Sequence, residues 1–176
     1  MPSTAEPSAT RRRPVIGVMG AGQGATEAQI RLAEGLGERI SRMGWALLSG
    51  GRPVGVMAAA SRGARRIDGH LVIGVLPGDG RSDDSRRTAE LDVALFTGIG
   101  DARNVINVLS SDVVVVCGGG GPGTASEAAH ALTLGKQLVL LAVPPPWSSF
   151  FGSLEAGVEV AADLDTCCAA IASRLG

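Results

Sequence analysis

The sequence contains no tyrosine, a single lysine and few aromatic residues of any kind. Aromatic residues make up 3% of its 176 residues, and 16 basic residues against 17 acidic ones give a formal net charge of −1. A chain so poor in aromatic residues lacks the stacking platforms on which single-stranded nucleic acids bind. A charge close to zero also gives no general attraction to nucleic acid or to an acidic membrane. We therefore expect neither a nucleic-acid partner nor a membrane partner.

Cysteine is scarce as well, and long apolar runs are missing. Three cysteines, two of them adjacent at Cys167 and Cys168, form neither a disulfide framework nor a CxxC metal pattern. This usage predicts a reducing, cytoplasmic location. No apolar run approaches the length of a membrane span. The histidines His70 and His130 have no metal-ligand company, so no metal site is predicted.

The chain begins with MPSTAEPSATRRR, which carries charge but leads into no long apolar segment. Because a secretory leader needs such a segment, we interpret residues 1–13 as a disordered N-terminal tail rather than a signal peptide. The sequence after this tail shows no repeat, no linker and no change of composition that would indicate a second domain. Residues 14–176 are therefore predicted to form a single domain, a size that can bury a real core.

Apolar runs alternate with segments of helical period along that domain. Strands that are apolar throughout and separated by helices indicate a parallel sheet covered on both faces, an α/β doubly wound, Rossmann-like fold. Residues 78–90 and PPPWSSFF at 144–151 are predicted loops. The predicted strands are 14–20, 45–51, 70–77, 91–98, 112–118, 136–143 and a short edge strand at 157–161; the predicted helices are 26–43, 54–66, 101–110, 124–134 and 163–175.

Three glycine-rich turns each lead from a strand into a helix: GAGQGAT, SGGRPVG and GGGGPGT. In such a sheet these turns lie at the carboxyl ends of the strands, where ligands bind. A helix start offers free backbone N–H groups and partial positive charge, and glycines let the backbone close around a phosphate. The candidate phosphate-binding residues are Gly20, Gly22, Gly24, Gly50, Gly51, Gly119, Gly120, Gly121, Gly123 and Thr124.

Each of these features has a plainer interpretation. The glycines could merely permit tight strand–helix junctions. Thr124 and Glu127 have the spacing of a capping box, which would make the glutamate structural, although it could also face a sugar. The first turn fits the dinucleotide pattern GxGxxA, but the second strand ends in Arg52 where an acid is expected. Arg103, opening the helix before the fifth strand, is a candidate clamp for a phosphate or a carboxylate.

The motif GGGGPGTASEAA resembles the PGGxGTxxE signature of the Lonely Guy (LOG) family of the SLOG superfamily. SGGRPVGVMAAA is similar to the family's second glycine motif, and Arg103 precedes Asp112 with the family's spacing. The resemblance covers about residues 14–142. It implies a homodimer or homotetramer that needs no cofactor and cleaves the N-glycosidic bond of nucleoside 5′-monophosphates, with Arg103 and Glu127 as the catalytic pair.

Two positions depart from the family's signature. Gly119 stands where the signature has proline, and Asn104 stands where a lysine is usual. The stretch ARNVINVLSSDVVVVCGGG, followed by GTASE, is more similar to the shorter branch that includes molybdenum-cofactor carrier proteins. This resemblance implies binding of a phosphorylated pterin such as the molybdenum cofactor. Two hypotheses follow: a protein that binds a phosphate-bearing nucleotide-like or pterin ligand, or a phosphoribohydrolase that releases free base and ribose 5-phosphate.

The family is often mislabelled as lysine-decarboxylase-like, and that activity needs a lysine that forms a Schiff base with pyridoxal phosphate. The one lysine, Lys136, lies between a predicted helix and the sixth strand. This position is on the sheet edge opposite the glycine turns, where the side chain cannot reach a ligand held by them. We therefore reject lysine decarboxylase activity.

Overall fold

The computed structural model describes residues 12–82 and 88–176. Within these ranges seven parallel strands form one sheet in the order β4-β3-β2-β1-β5-β6-β7, with six α-helices around it. The elements are β1 Val15–Gly20, α1 Glu27–Arg42, β2 Ala46–Ser49, α2 Gly55–Arg65, β3 Val72–Leu76, β4 Val93–Phe96, α3 Arg103–Ser110, β5 Val113–Cys117, α4 Pro122–Thr133, β6 Gln137–Leu141, α5 Pro145–Leu154, β7 Glu159–Ala161 and α6 Leu164–Leu175.

The central strands of the sheet are buried on both faces, whereas the edge strand β4 is exposed. β5 shows this most clearly, because every residue of its VVVVC sequence is buried. Helices α1, α2 and α6 pack on one face of the sheet, and α3, α4 and α5 pack on the other. Strands covered in this way need no alternation of polar and apolar residues. The predicted α/β doubly wound, Rossmann-like fold with helices on both faces is confirmed.

The chain reverses its winding between β1 and β5. From β1 it proceeds outward through β2 and β3 to β4, and it then returns to the other side of β1 to form β5, β6 and β7. Such a reversal opens a crevice beyond the carboxyl ends of the two central strands, because the connections on either side lead away from it. The turns after β1 and β5, both rich in glycine, border this crevice.

The helices differ in how their N-termini are satisfied. Thr26 and Gln29 form the predicted reciprocal capping box at the start of α1, and Asp163 caps α6. By contrast, α2, α3 and α4 have no side-chain hydrogen bond at the cap position. At α2 a backbone group takes part of this role, because the N–H of Val56 donates to the carbonyl oxygen of Ala21 at 2.9 Å. At α4 no side chain serves the first backbone N–H groups, which can therefore bind another partner.

Two sequence-based predictions about helix starts are wrong. Residues 144–151 were expected to be a loop, yet Pro145–Leu154 is helical, because proline in the first turn sacrifices no helical hydrogen bond. Helix α4 begins at Pro122 with Gly121 at the cap position, not at Thr124. Thr124 and Glu127 are both inside the helix, so they do not form a capping box.

Part of the chain predicted to be irregular lies outside the described residues. This holds for residues 1–11 of the predicted tail and for residues 83–87 of the predicted loop at 78–90. Arg12 is described and donates to Asp112 (2.8 Å), and Arg13 donates to the carbonyl of Gly69 (2.9 Å). Within the described ranges, no helix combines the length and the apolar character that crossing a bilayer requires.

We predict that Gly63 is essential to the close packing of α1 on α2. A Cβ at Gly63 would lie 1.8 Å from the carbonyl oxygen of Glu34, a backbone atom that cannot give way locally. Gly63→Ala should therefore lower the free energy of unfolding by about 1–3 kcal/mol, the usual cost of overpacking. Urea denaturation measures this change.

The matched control is Gly152→Ala in α5, where a Cβ would meet no atom within 4 Å. This substitution should leave stability unchanged or raise it by up to about 1 kcal/mol, since alanine is the better helix former. Equal effects of the two substitutions would show that the α1–α2 contact is not as close as described.

Candidate functional site

A cavity of about 570 Å³ lies at the carboxyl edge of the sheet, at the crevice between β1 and β5. Its walls come from the turns after β1, β2 and β5 and from the start of α3. The structure therefore brings all three glycine-rich turns to one space, together with both candidate catalytic side chains, Arg103 and Glu127.

The candidate residues divide into two groups. Those that line the cavity are Gly20, Gly22, Gly50, Gly121, Gly123, Thr124, Arg103 and Glu127. The others, Gly24, Gly51, Gly119 and Gly120, lie in the same turns but outside its lining. Arg52, Asp101 and Asn104 also line the cavity and add further polar groups to it.

The first three glycines after β5 are explained by the path of the backbone. Gly118 and Gly119 have φ values of 68° and 79°, a conformation that costs other residues energy. Proline, with φ fixed near −65°, could not occupy position 119 in this conformation. A Cβ at Gly120 would lie 2.3 Å from Oγ1 of Thr124. These three glycines therefore form the junction itself.

Gly121 and Gly123 differ from those three because the protein leaves them space. A Cβ at Gly121 would meet nothing within 4 Å, and one at Gly123 only Nδ2 of Asn104, at 3.9 Å. Both residues line the cavity at the start of α4. The strand–helix junction does not require glycine at either position. The absence of side chains at Gly121 and Gly123 instead leaves space in the cavity at the N-terminus of α4.

Thr124 fastens this turn to its neighbour. Its hydroxyl donates to the carbonyl oxygen of Gly20 at 3.0 Å, which ties the start of α4 to the end of β1. Gln29 supports the same junction by donating to the carbonyl oxygen of Gly118 at 2.7 Å. The hydroxyl proton of Thr124 is thus already used, and its contact with a phosphate stays a prediction.

Arg103 is a buried cation whose hydrogen-bonding capacity is largely unused. The residue is only 4% exposed, and its Nε and Nη1 atoms have no hydrogen-bond partner within residues 12–82 and 88–176. Nη1 lies 3.8 Å from Oε1 of Glu127, which is close enough for attraction but not for a hydrogen bond. The guanidinium rests on the β2 turn, where a Cβ at Gly50 would lie 2.2 Å from Nη1.

Glu127 is held by a residue that the sequence analysis did not identify. Asn107 is fully buried on α3, and its Nδ2 donates to Oε1 of Glu127 at 2.8 Å. Its position one helical turn after Arg103 was the available signal, because residues four apart share a helix face. Nearby, Nδ2 of Asn104 donates to Ser126 (3.1 Å), so that α3 and α4 are joined by two such contacts.

Burial dominates the acid–base properties of this pair. It raises the pKa of Glu127, against the opposing effects of the Asn107 hydrogen bond and the charge of Arg103. It also lowers the pKa of Arg103, which Glu127 partly restores. Between its ordinary and its raised pKa, Glu127 retains a proton in the folded state that the unfolded state has released. Its contribution to stability therefore falls as the pH rises through that range.

Two other residues of interest lie away from the cavity. Nζ of Lys136 donates to the carbonyl oxygens of Leu109 (2.9 Å) and Ser111 (2.8 Å), before the start of β5. This is the edge of the sheet opposite the glycine turns. Trp147 packs against Phe151, with ring centroids 5.5 Å apart, and is not part of the cavity lining.

Comparison with known proteins gives consistent matches over most of the chain. The model of the SLOG cluster4 family matches residues 13–166. An uncharacterized protein of Archaeoglobus fulgidus is 43% identical over 129 residues, 73% of this chain and 80% of that protein.

Two solved structures are similar throughout. The molybdenum cofactor binding protein of the phototrophic bacterium Rippkaea orientalis is 43% identical, with a TM-score of 0.87 over 95% of this chain and 100% of that one. The molybdenum cofactor carrier protein of Chlamydomonas reinhardtii is 46% identical, with a TM-score of 0.83 over 93% of this chain and 99% of that one.

We predict that Gly50 is needed to place Arg103 beside Glu127. Gly50→Ala should push the guanidinium off the β2 turn and leave a buried carboxylate without its counter-charge. The free energy of unfolding should fall by about 1–3 kcal/mol. Gly22→Ala is the control, because its Cβ would make only ordinary contacts at 3.8 and 3.9 Å in the same cavity.

A double-mutant cycle tests the cause of this loss. Adding Glu127→Gln should recover part of the stability lost in Gly50→Ala, since a neutral amide no longer needs the guanidinium. Equal losses in Gly50→Ala and Gly22→Ala, or strict additivity with Glu127→Gln, would contradict the prediction.

Proposed function

This chain belongs to the SLOG cluster4 family, and on that premise we propose that it is a binding or carrier protein for a phosphate-bearing ligand of the molybdenum-cofactor type. The ligand is a phosphorylated pterin or a nucleotide-like molecule. Its phosphate rests on backbone N–H groups at the start of α4, those of Gly121, Gly123 and Thr124, since Pro122 has none. The turns after β1 and β2 complete the site.

One observation carries this proposal: the first turn of α4 is open where it borders the cavity. No side chain caps α4, and Gly121 and Gly123 leave space that the fold does not require. A helix N-terminus with free N–H groups and partial positive charge attracts anions. Elsewhere, α1 and α6 satisfy the same groups with their own side chains, Thr26 and Asp163.

The choice of ligand is supported by the related proteins of known structure. Both are described as proteins that bind or carry the molybdenum cofactor, and each matches this chain over nearly its whole length. The cofactor is a phosphorylated pterin, so it has the phosphate that the start of α4 would bind. In this function Arg103 and Glu127 contact the ligand and no bond is broken.

A phosphoribohydrolase is the second candidate, and the position of Arg103 and Glu127 favours it. Both line the same cavity, with 3.8 Å between Nη1 and Oε1. An ionised Glu127 would stabilise the positive charge that develops on the ribosyl group or position a water. Arg103 would hold the phosphate or the departing base. The reaction would release free base and ribose 5-phosphate.

One set of measurements separates the two functions. The wild-type protein is incubated with AMP and a panel of other nucleoside 5′-monophosphates, free base is assayed, and binding of the molybdenum cofactor is titrated separately. We expect no base release and tight cofactor binding. Gly121→Ala should weaken that binding about 10- to 100-fold, because its methyl group blocks hydrogen bonds to a charged phosphate.

Gly152→Ala, remote from the cavity, is the control for this substitution, and both variants should unfold like the wild type. Release of base that disappears in Glu127→Ala would establish the hydrolase instead. Cofactor binding that is unaffected by Gly121→Ala would contradict the placement of the phosphate at α4.

We also propose that the protein acts as a homodimer or homotetramer in the cytoplasm. Its three cysteines are all free, which supports a reducing compartment. The edge strand β4 exposes Val93, Leu95 and Phe96, each about 40–50% accessible. Exposed apolar clusters of this kind mark protein contacts.

Light scattering during size-exclusion chromatography should accordingly give a mass of two or four chains. Leu95→Lys should lower the mass toward that of one chain, while Arg31→Gln on the exposed side of α1 should not. A wild-type mass of 17.8 kDa, that of a single chain, would contradict the oligomer.

A further inference from the structure

We propose that the cavity contains a second anion site, formed by Arg103 and Arg52 at the turn after β2, so that the physiological ligand carries two anionic groups. The inference rests on the proposed function, which places the first anionic group, a phosphate, at the start of α4. It adds a distinct position for the second group and thereby narrows the class of ligand.

Arg103 provides the first argument, because a buried guanidinium with unused N–H groups is costly. Nε and Nη1 have no hydrogen-bond partner in the part of the chain that the structure describes, and the side chain is 5% exposed. Glu127 is too distant to accept a hydrogen bond, at 3.8 Å. A ligand acceptor that reaches these atoms would relieve the cost, since hydrogen bonds to charged groups are the strong ones.

Arg52 provides the second argument. It lines the cavity two residues after Gly50, on which the Arg103 guanidinium lies, and it forms no ion pair in the described parts of the chain. The proximity of the two cations lowers the pKa of Arg103 further. Asp101 also lines this wall, but it pairs with neither arginine within 4.0 Å. Arg52, which has no ion pair among the described residues, and Arg103, which keeps two unpaired N–H groups beside Glu127, together favour an anion between them.

The order of the strands separates this site from the start of α4. Arg52 and Gly50 follow β2, whereas Gly121 follows β5, and β1 lies between these two strands. Neighbouring strands are about 4.8 Å apart, so the turn that carries Arg52 and the turn that carries Gly121 are separated by roughly 10 Å. The Arg103 guanidinium lies between them, against Gly50 on one side and 3.8 Å from Glu127 of α4 on the other. A single phosphate group cannot span the distance between the two turns. A cavity of about 570 Å³ has room for a ligand that does.

The ligand class follows from this arrangement. It is a molecule with a phosphate at one end and a second anionic group roughly 10 Å away. A nucleoside 5′-monophosphate, with its charge confined to one phosphate, would leave Arg52 and Arg103 without an anion. In the alternative, Arg103 only neutralises Glu127 and there is no second anion site. Removing the charge of Arg52 would then leave anion binding unchanged.

Tungstate is a suitable probe, since it is a tetrahedral dianion that anomalous scattering locates. Equilibrium dialysis at pH 8 with metal analysis counts the ions bound per chain, and soaked crystals show where they lie. We expect two per wild-type chain, one in Arg52→Gln, one in Gly121→Ala and none when both substitutions are combined. Arg31→Gln, an equal change of charge on α1, should still bind two.

The outcomes distinguish this inference from the proposed function. One ion per wild-type chain, retained in Arg52→Gln and lost in Gly121→Ala, would overturn the second site and leave the first. Two ions in Gly121→Ala with one in Arg52→Gln would support the second site while contradicting the phosphate position at α4. Failure of the wild type to bind any ion would overturn the inference.

Discussion

The structure around the cavity depends on one constraint, the burial of the Arg103 guanidinium beside Glu127. Two opposite charges removed from water cost more than their attraction returns unless further hydrogen bonds satisfy them. Asn107 donates to one oxygen of the carboxylate, but no described residue accepts a hydrogen bond from Nε or Nη1 of the arginine. The fold tolerates this imbalance because α3, α4 and the bare β2 turn hold the pair in place. A ligand with hydrogen-bond acceptors would supply the partners that Nε and Nη1 of Arg103 lack.

The glycines at this edge of the sheet have different structural roles. Gly118, Gly119 and Gly120 shape the junction between β5 and α4, while Gly50 makes room for Arg103. Gly121 and Gly123 are different, because the protein neither bends nor packs against them in a way that requires glycine. This unused space, at a helix N-terminus without a side-chain cap, is the feature on which the proposed binding of an anionic ligand rests.

Much of this could be predicted from the sequence, and the errors have identifiable causes. Uniformly apolar strands such as VVVVC predicted the parallel sheet, and the glycine turns that follow strands predicted the edge of the sheet where the cavity lies. The start of α4 was misplaced because Thr124 and Glu127 have the spacing of a capping box, whereas Pro122 already begins the helix. In the same way, prolines 145 and 146 suggested a loop although they occupy a first helical turn.

The roles of Gly50 and Asn107 could not be predicted, since both depend on contacts between elements that are distant in the sequence. Gly50 looked like a residue that binds phosphate, but its small size first of all accommodates an arginine 53 positions further along the chain. Asn107 lacked any motif of its own. Asn107 contacts Glu127 only because α3 packs against α4. Helical periodicity alone cannot show which polar residue faces a buried carboxylate.

The central claim is that backbone N–H groups at the start of α4 bind the phosphate of the ligand. A crystal structure of the protein with bound molybdenum cofactor tests it most directly. The account predicts phosphate oxygens within hydrogen-bond distance of the backbone N–H groups of Gly121, Gly123 and Thr124. A cofactor bound elsewhere, with that turn free of any anion, would contradict it.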